Sequence, residues 1–112
     1  MENSEKLAGG ITQEELSGWK LKYGNDRVKA VVVPIDDDGN TVTGYVRKPD
    51  LKTIRAAGKF AETDPVRSGM ILFDNCFLGG DDSISADDEL RMSVISALNT
   101  LFKVRVATIK NV

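Results

Sequence analysis

Few side chains in this chain are of the types that carry out catalysis. The 112 residues include no histidine and a single cysteine, Cys76. Histidine is the commonest general base and metal ligand near neutral pH, and one cysteine can form neither an intramolecular disulfide nor a zinc site. Because Cys76 lies in a mainly apolar run, residues 71–78, we expect it to be a small buried hydrophobe. The sequence therefore predicts a protein that is not an enzyme and that needs no cofactor.

Two acidic clusters contain the residue types that bind calcium, but other roles explain both. Residues 36–40 read Asp-Asp-Asp-Gly-Asn, and the EF-hand spacing would place the first ligand at Pro34, which has no carboxylate. Asp38-Gly39 is instead typical of the tight turn in a β-hairpin. The second cluster combines Asp81-Asp82 with residues 87–89, where helix capping and the helix dipole favour acids. A metal site at the second cluster is the minor alternative, and we expect no bound metal.

Basic side chains recur at helical spacing after the second predicted strand. Lys52, Arg55 and Lys59 stand at positions i, i+3 and i+7, which places them on one face of a helix. Arg47 and Lys48 precede this face along the chain. The pattern is typical of a docking surface for an acidic partner. The interpretation that we favour is a solvated helix face, whose ion pairs contribute little to stability.

Charge is also segregated along the chain. Residues 74–89 include six acids and no base. A surface with separate acidic and basic regions favours head-to-tail association of copies.

The apolar residues of the C-terminal half are the strongest indication of a binding surface. In the helix predicted over residues 65–78, one stripe contains Val66, Met70, Phe73 and Phe77. In the last helix, the stripe contains Leu90, Val94, Ala97, Leu98 and Leu101. Other apolar residues fall outside these stripes, and helices that are apolar nearly all round are covered on several sides.

Either the fold is very compact, or part of this apolar surface contacts another protein. The candidate residues are the basic Arg47, Lys48, Lys52, Arg55 and Lys59 and the apolar Ile71, Leu78, Met92, Ile95 and Phe102.

Capping and turn residues predict a short N-terminal helix and then a β-hairpin. Thr12 and Glu15 form a capping box, and the helix that follows is expected to end near Gly24. Residues 28–33 and 41–47 are rich in β-branched side chains, which predicts a two-stranded antiparallel hairpin. Because two strands alone are marginally stable in water, they are expected to pack on the helices or to pair with another chain.

The part of the chain after Pro49 is predicted to be helical, in three helices. Asp50 caps the first, in which Gly58 is expected to pack closely against a neighbour. Asp64-Pro65 opens the second, and Gly79-Gly80 ends it.

The end of the chain is less regular in its pattern. Residues 81–83 are expected to form a loop, and Ser85 to cap the last helix. Residues 104–110 alternate like a strand, but we favour helix because no helix-breaking residue precedes them. The overall prediction is an α+β fold: an N-terminal helix, a two-stranded hairpin and a three-helix C-terminal half.

Composition limits the classes of partner. Apolar residues make up 41% and charged residues 29%, as in ordinary globular proteins. A formal net charge of −2 is unlike the basic surfaces that bind nucleic acids or anionic membranes. We find no signal peptide and no apolar run long enough to span a bilayer. We expect a flexible terminus over residues 1–10, a single domain over residues 11–112 and a cytoplasmic location.

Three segments carry a resemblance to a known group of proteins. Residues 45–50 (YVRKPD), Asp64-Pro65 and residues 72–81 (LFDNCFLGGD) resemble small proteins encoded in the tail-module regions of tailed phages and prophages. The shared order is a short hairpin, a basic junction ending in proline, and a helical half with an acidic last helix. Over residues 12–110 the chain is similar to phage tail assembly chaperones.

The resemblance implies a role in assembly and no catalytic residues. Such chaperones are implied to bind the tape-measure protein or tail subunits in the host cytoplasm while the tail is built. The alternative is a structural virion subunit, such as a connector or minor tail component, that self-assembles through its hairpin edge. Neither role involves nucleic acid or membrane, and the second requires a homo-oligomer.

Overall fold

The computed structural model describes residues 6–101 and 107–112. The chain has an α+β fold, as the sequence predicts, but the described residues of its second half form one strand and four helices. In chain order the elements are a 3-10 helix Ala8–Gly10, α1 Gln13–Tyr23, β1 Val28–Pro34, β2 Thr41–Arg47, α2 Leu51–Gly58, α3 Pro65–Cys76, β3 Phe77–Gly80, α4 Asp82–Ala86 and α5 Asp88–Thr100.

The N-terminal helix and the hairpin follow the prediction closely. The Thr12 hydroxyl accepts the backbone N–H of Glu15 at 3.1 Å, and the Glu15 carboxylate accepts that of Thr12 at 2.9 Å, which completes the capping box. Strands β1 and β2 pair in an antiparallel register from Val28 with Arg47 to Pro34 with Thr41. Local capping and turn chemistry is enough to specify both elements.

The hairpin is wider than predicted, because a third strand joins it. The prediction of a helix from Pro65 to Leu78 is wrong at its end: α3 stops at Cys76, and β3 pairs antiparallel with β2. In the described residues the sheet order is β1-β2-β3. Gly80 has a φ of 131° and lies so close to β2 that a Cβ atom there would be 2.5 Å from the Thr43 carbonyl oxygen. Gly80 is therefore needed for close strand packing, and the Gly79-Gly80 pair does not simply end a helix.

The loop predicted over residues 81–83 and the cap predicted at Ser85 are also corrected. Asp81 accepts the backbone N–H of Ser83 at 3.0 Å and opens the short helix α4. Asp87 accepts those of Glu89 and Leu90 at 2.8 and 3.1 Å, and it is the N-cap of α5. Aspartate is as good an N-cap as serine, so two successive aspartate caps divide this acidic segment into two helices.

The sheet is covered on both faces. Neighbouring residues of a strand point to opposite faces, and in β2 both Tyr45 and Val46 are buried. Val46 belongs to a core cluster that α2, α3, α4 and α5 complete on one face. Tyr45 lies on the other face, where its ring is 5.8 Å from that of Trp19 in α1. Its hydroxyl donates to the Ala8 carbonyl oxygen at 2.9 Å and so ties the 3-10 helix to the sheet.

The buried face of α3 differs from the predicted stripe. Gly69, Leu72, Phe73 and Cys76 are buried, whereas Val66 is 63% exposed. The stripe predicted for α5 is confirmed at its centre, with buried Val94 and Leu98 and half-buried neighbours.

Gly58 has nothing within 4 Å of the position of a Cβ atom, so the expected close packing at this residue is wrong.

Two terminal predictions concern residues that are only partly described. For residues 1–10, the structure covers residues 6–10 and shows the 3-10 helix, and flexibility stays a prediction. For residues 104–110, positions 104–106 lie outside the described residues, and residues 107–110 have no regular secondary structure. Within the described part of the chain, no helix is long and apolar enough to cross a membrane.

Candidate protein-binding surfaces

An open groove runs between α3 and α5. Gly69 of α3 faces Ile95 of α5: a Cβ atom on Gly69 would lie 3.0 Å from Ile95 Cγ2. The groove has a volume of about 380 Å³. Its lining consists of Ala61, Pro65, Ser68, Gly69, Leu72, Met92, Ile95, Ser96 and Asn99. We call this feature the α3/α5 groove.

The α3/α5 groove combines an apolar floor with small side chains along its walls. Leu72 and Ile95 are buried in the floor, and Met92 is 47% exposed at the rim. Small residues such as Ser68 and Ser96 leave room above this floor. Methionine is flexible and polarizable, so it adapts to an incoming apolar side chain. The groove can thus accept the apolar face of a helix, the helix-in-groove mode of peptide recognition.

The structure places the predicted apolar binding residues in different environments. Met92 is exposed beside the α3/α5 groove. Ile95 is only 5% exposed and belongs to the core cluster, but it also lines the floor of the α3/α5 groove, so its role in binding stays a prediction. Ile71 packs against that core and, like Leu78 in β3, is half-buried. Phe102 lies outside the described residues.

Sequence reasoning missed Val66, which is exposed on α3. Its spacing from Phe73 places it in the predicted apolar stripe of this helix, which we expected to be buried.

The predicted basic face exists on α2. Lys52, Arg55 and Lys59 are exposed and line one depression together with Leu51 and Ala56. Among the described residues, none of the three cations forms an ion pair within 4 Å. We call this feature the basic surface.

Arg47 and Lys48 do not join the basic surface. The Arg47 guanidinium is 3.5 Å from the Asp50 carboxylate and lies over the Tyr23 ring, so it is half-buried between α1 and the start of α2. Lys48 is half-buried, and its backbone N–H donates to the Arg27 carbonyl oxygen at 2.7 Å. These two positions hold the junction between strand and helix together, and their role in a docking surface stays a prediction.

A second groove lies at the turn end of the hairpin. It has a volume of about 460 Å³ and is lined by Val33, Pro34, Ile35, Val42, Ser83, Asp87, Glu89, Leu90 and Ser93. Ile35 is half exposed at its rim. The exposed carboxylates of Asp87 and Glu89 make the groove negative on the α5 side. We call it the acidic groove.

The titratable groups with shifted pKa values belong to caps, turns and the core. The Thr53 backbone N–H donates to Asp50 and lowers the pKa of that carboxyl. Hydrogen bonds from Ser83 lower the pKa of Asp81, and those from Asn40 and Asp38 lower that of Asp36. Burial raises the pKa of the Cys76 thiol, as expected for a structural cysteine. Each shift is explained by a local structural role.

Carboxylates do not converge on a metal centre in residues 6–101 and 107–112. No group of three or more His, Cys, Asp or Glu side chains there is arranged to hold a metal ion. At Asp81, the carboxylate accepts the Ser83 backbone N–H and hydroxyl, which is the geometry of a helix cap.

The outer edge of β1 is a third surface. Within the described residues, β2 is the one strand that pairs with β1. Val32 and Lys29 are exposed on this strand, on opposite faces of the sheet. An open edge of seven residues can accept a strand from another chain.

Comparison with models of protein families, with curated proteins and with solved structures finds no match to this chain.

Proposed function

We propose that the chain is a non-catalytic protein-binding factor that receives a helical segment of a client in the α3/α5 groove. The observation that carries this proposal is the groove itself, which has a buried apolar floor and Met92 exposed at its rim. An exposed apolar groove with polar side chains around it is typical of a protein-interaction site. Its dimensions are set by Gly69, because α5 approaches α3 where α3 has no side chain.

The client segment is an amphipathic helix. Apolar side chains at i, i+3 or i+4 spacing would contact Leu72, Ile95 and Met92, while the opposite face stays in water. Ser96 and Asn99 at the edge offer hydrogen-bonding groups to polar side chains of the client.

The named role that we propose is a phage tail assembly chaperone, acting in the host cytoplasm on the tape-measure protein or tail subunits. The resemblance of residues 45–50 and 72–81 supports this role, and so does a groove suited to helical clients. Tape-measure protein co-expressed with the tagged chain should co-purify with it. Failure of the two proteins to associate would contradict the role.

A matched pair of variants tests the groove. Ser96→Trp places a large ring in the α3/α5 groove and should weaken client binding at least about tenfold. Ser17→Trp places the same ring on the exposed face of α1, away from the groove, and should leave binding unchanged. Titration calorimetry with purified client fragments measures both. Equal affinities for the two variants would exclude the groove as the binding site.

The open edge of β1 favours a second candidate function, a structural virion subunit that self-assembles through its hairpin. In that case Val32→Lys, which adds a charge to the edge, abolishes self-association, whereas Thr41→Lys on the paired strand β2 does not. The protein would also be present in purified particles. A strict monomer that is missing from particles contradicts this candidate.

A further inference from the structure

We infer that copies of this chain associate head to tail, with Leu51 and the basic surface of one copy seated in the acidic groove of the next. This contact does not use the α3/α5 groove, so it is independent of client binding in that groove. It does include Val33 and Pro34 at the turn end of β1.

The basic surface presents an apolar side chain surrounded by cations. Leu51 is the first residue of α2, and its apolar side chain is 63% exposed. Lys52, Arg55 and Lys59 lie around the same depression. Three cations that form no ion pair with any described residue, beside an exposed leucine, are complementary to an apolar groove with a negative rim.

The acidic groove has an apolar lining and a negatively charged rim. Val33, Leu90 and Ile35 provide apolar surface, and Asp87 and Glu89 lie on the α5 side. The turn that follows Ile35 adds three exposed aspartates, residues 36–38.

The nearest cation on α5 is already engaged. The Arg91 guanidinium lies 3.7 Å from the Asp88 carboxylate and donates to the Ser85 carbonyl oxygen. The negative charge of the groove rim is therefore available to an incoming positive surface.

The two surfaces lie at opposite ends of the hairpin, so one copy cannot satisfy both within itself. The acidic groove contains Pro34 at the turn end, whereas α2 begins shortly after Arg47, which pairs with Val28 at the far end. Seven strand residues separate these ends by about 20 Å. A contact between two different surfaces is heterologous, and it produces rings or filaments rather than closed two-fold dimers.

Salt concentration gives the first test. At ~50 mM NaCl, sedimentation velocity should show a mean mass at least about twofold above the monomer as the protein concentration rises, and ~500 mM NaCl should return it to the monomer. A monomer at all concentrations in low salt would overturn the inference.

Charge reversal gives the specific test. Lys52→Glu/Arg55→Glu makes the basic surface acidic. Asp37→Lys/Asp38→Lys/Glu89→Lys gives the groove rim three bases against the two remaining acids, Asp36 and Asp87, without touching a helix cap. Each variant alone should be monomeric, because like charges then face each other. An equimolar mixture should associate again, because each mutant surface meets a complementary one. A mixture that stays monomeric, or a single variant that associates like wild type, would overturn the inference.

A leucine pair tests the apolar part of the contact. Leu51→Ser should weaken self-association at least about tenfold, whereas Leu21→Ser, at an exposed position on α1, should not change it. Equal effects would contradict the proposed contact. Ser96→Trp should leave self-association intact, so loss of client binding and loss of self-association are separable.

Discussion

Ile95 of α5 rests directly on the backbone of Gly69 in α3. A Cβ atom on Gly69 would lie 3.0 Å from Ile95 Cγ2 and 3.4 Å from its Cδ1. This contact sets the distance between the two helices and hence the width of the α3/α5 groove. A close contact between the two helices and the candidate client site therefore involve the same glycine.

Alanine at Gly69 should destabilise the protein relative to alanine at Gly58. Both glycines are helical, and alanine has the better helix propensity by about 1 kcal/mol. Gly58 has open space around it, so Gly58→Ala should raise the free energy of unfolding by up to that amount. Gly69→Ala must displace Ile95, and overpacking costs about 1–3 kcal/mol. Urea unfolding of the two variants measures the difference, and equal stabilities would contradict the close contact.

Alanine at Gly80 should be much more destabilising than alanine at Gly39. Both residues have positive φ, 131° and 92°, so each substitution strains the backbone. Gly39 has open space, but a Cβ atom on Gly80 would lie 2.5 Å from the Thr43 carbonyl oxygen. We expect Gly80→Ala to lower the free energy of unfolding by at least about 2 kcal/mol more than Gly39→Ala does. Thermal unfolding of both variants tests this, and a similar loss in each would argue against the pairing of β3 with β2.

The Cys76 thiol should react slowly in the folded protein. The residue is fully buried, and burial raises the pKa of its thiol, so little thiolate forms near neutral pH. Labelling with a thiol reagent should be at least about 100-fold slower than in the urea-unfolded chain. Rapid labelling of the native protein would show that Cys76 is accessible. Cys76→Ser should also lower the free energy of unfolding, by about 1–3 kcal/mol, because it buries a hydroxyl.

Asp50→Asn should reduce stability near neutral pH and have little effect in acid. The Thr53 backbone N–H holds the pKa of Asp50 below its ordinary value of 3.8. The stabilisation from the carboxylate is therefore fully present above that value and is lost as the pH falls through the lower, folded pKa. Asparagine still caps the helix. The difference in free energy of unfolding between wild type and Asp50→Asn therefore reports on the charge, and it should be about 0.5 kcal/mol for this exposed group.

Chemical unfolding at pH ~7 and pH ~2.5 gives the comparison for Asp50→Asn. The difference between variant and wild type should shrink as the pH falls through the lowered pKa of the Asp50 carboxyl. A difference that persists unchanged in acid would show that the effect is not due to this carboxylate.

Some elements of the fold could be predicted because neighbouring residues specify them. The capping box of Thr12 and Glu15 involves residues three apart, and the Asp38-Gly39 turn pairs strands that are adjacent in the chain. The basic surface was predictable for the same reason, since Lys52, Arg55 and Lys59 share one face of a single helix. In each case the interaction is local and does not depend on the rest of the fold.

Other features were not predictable from one segment at a time. Gly79-Gly80 has the pattern of a helix end, but the position of β2 makes these residues a strand. Val66 and Ile95 both carry apolar side chains at helical positions, and their different exposure depends on which face of each helix meets its neighbour.

Short-range chemistry in the sequence alone therefore establishes the α+β composition, the hairpin, the separate acidic and basic regions and the lack of histidine-based chemistry. Long-range packing establishes the third strand, the position of Gly69 under Ile95 and the two grooves. The physical reason is that a side chain's burial depends on residues distant in sequence, whereas its capping, turn and charge properties depend on itself and its immediate neighbours.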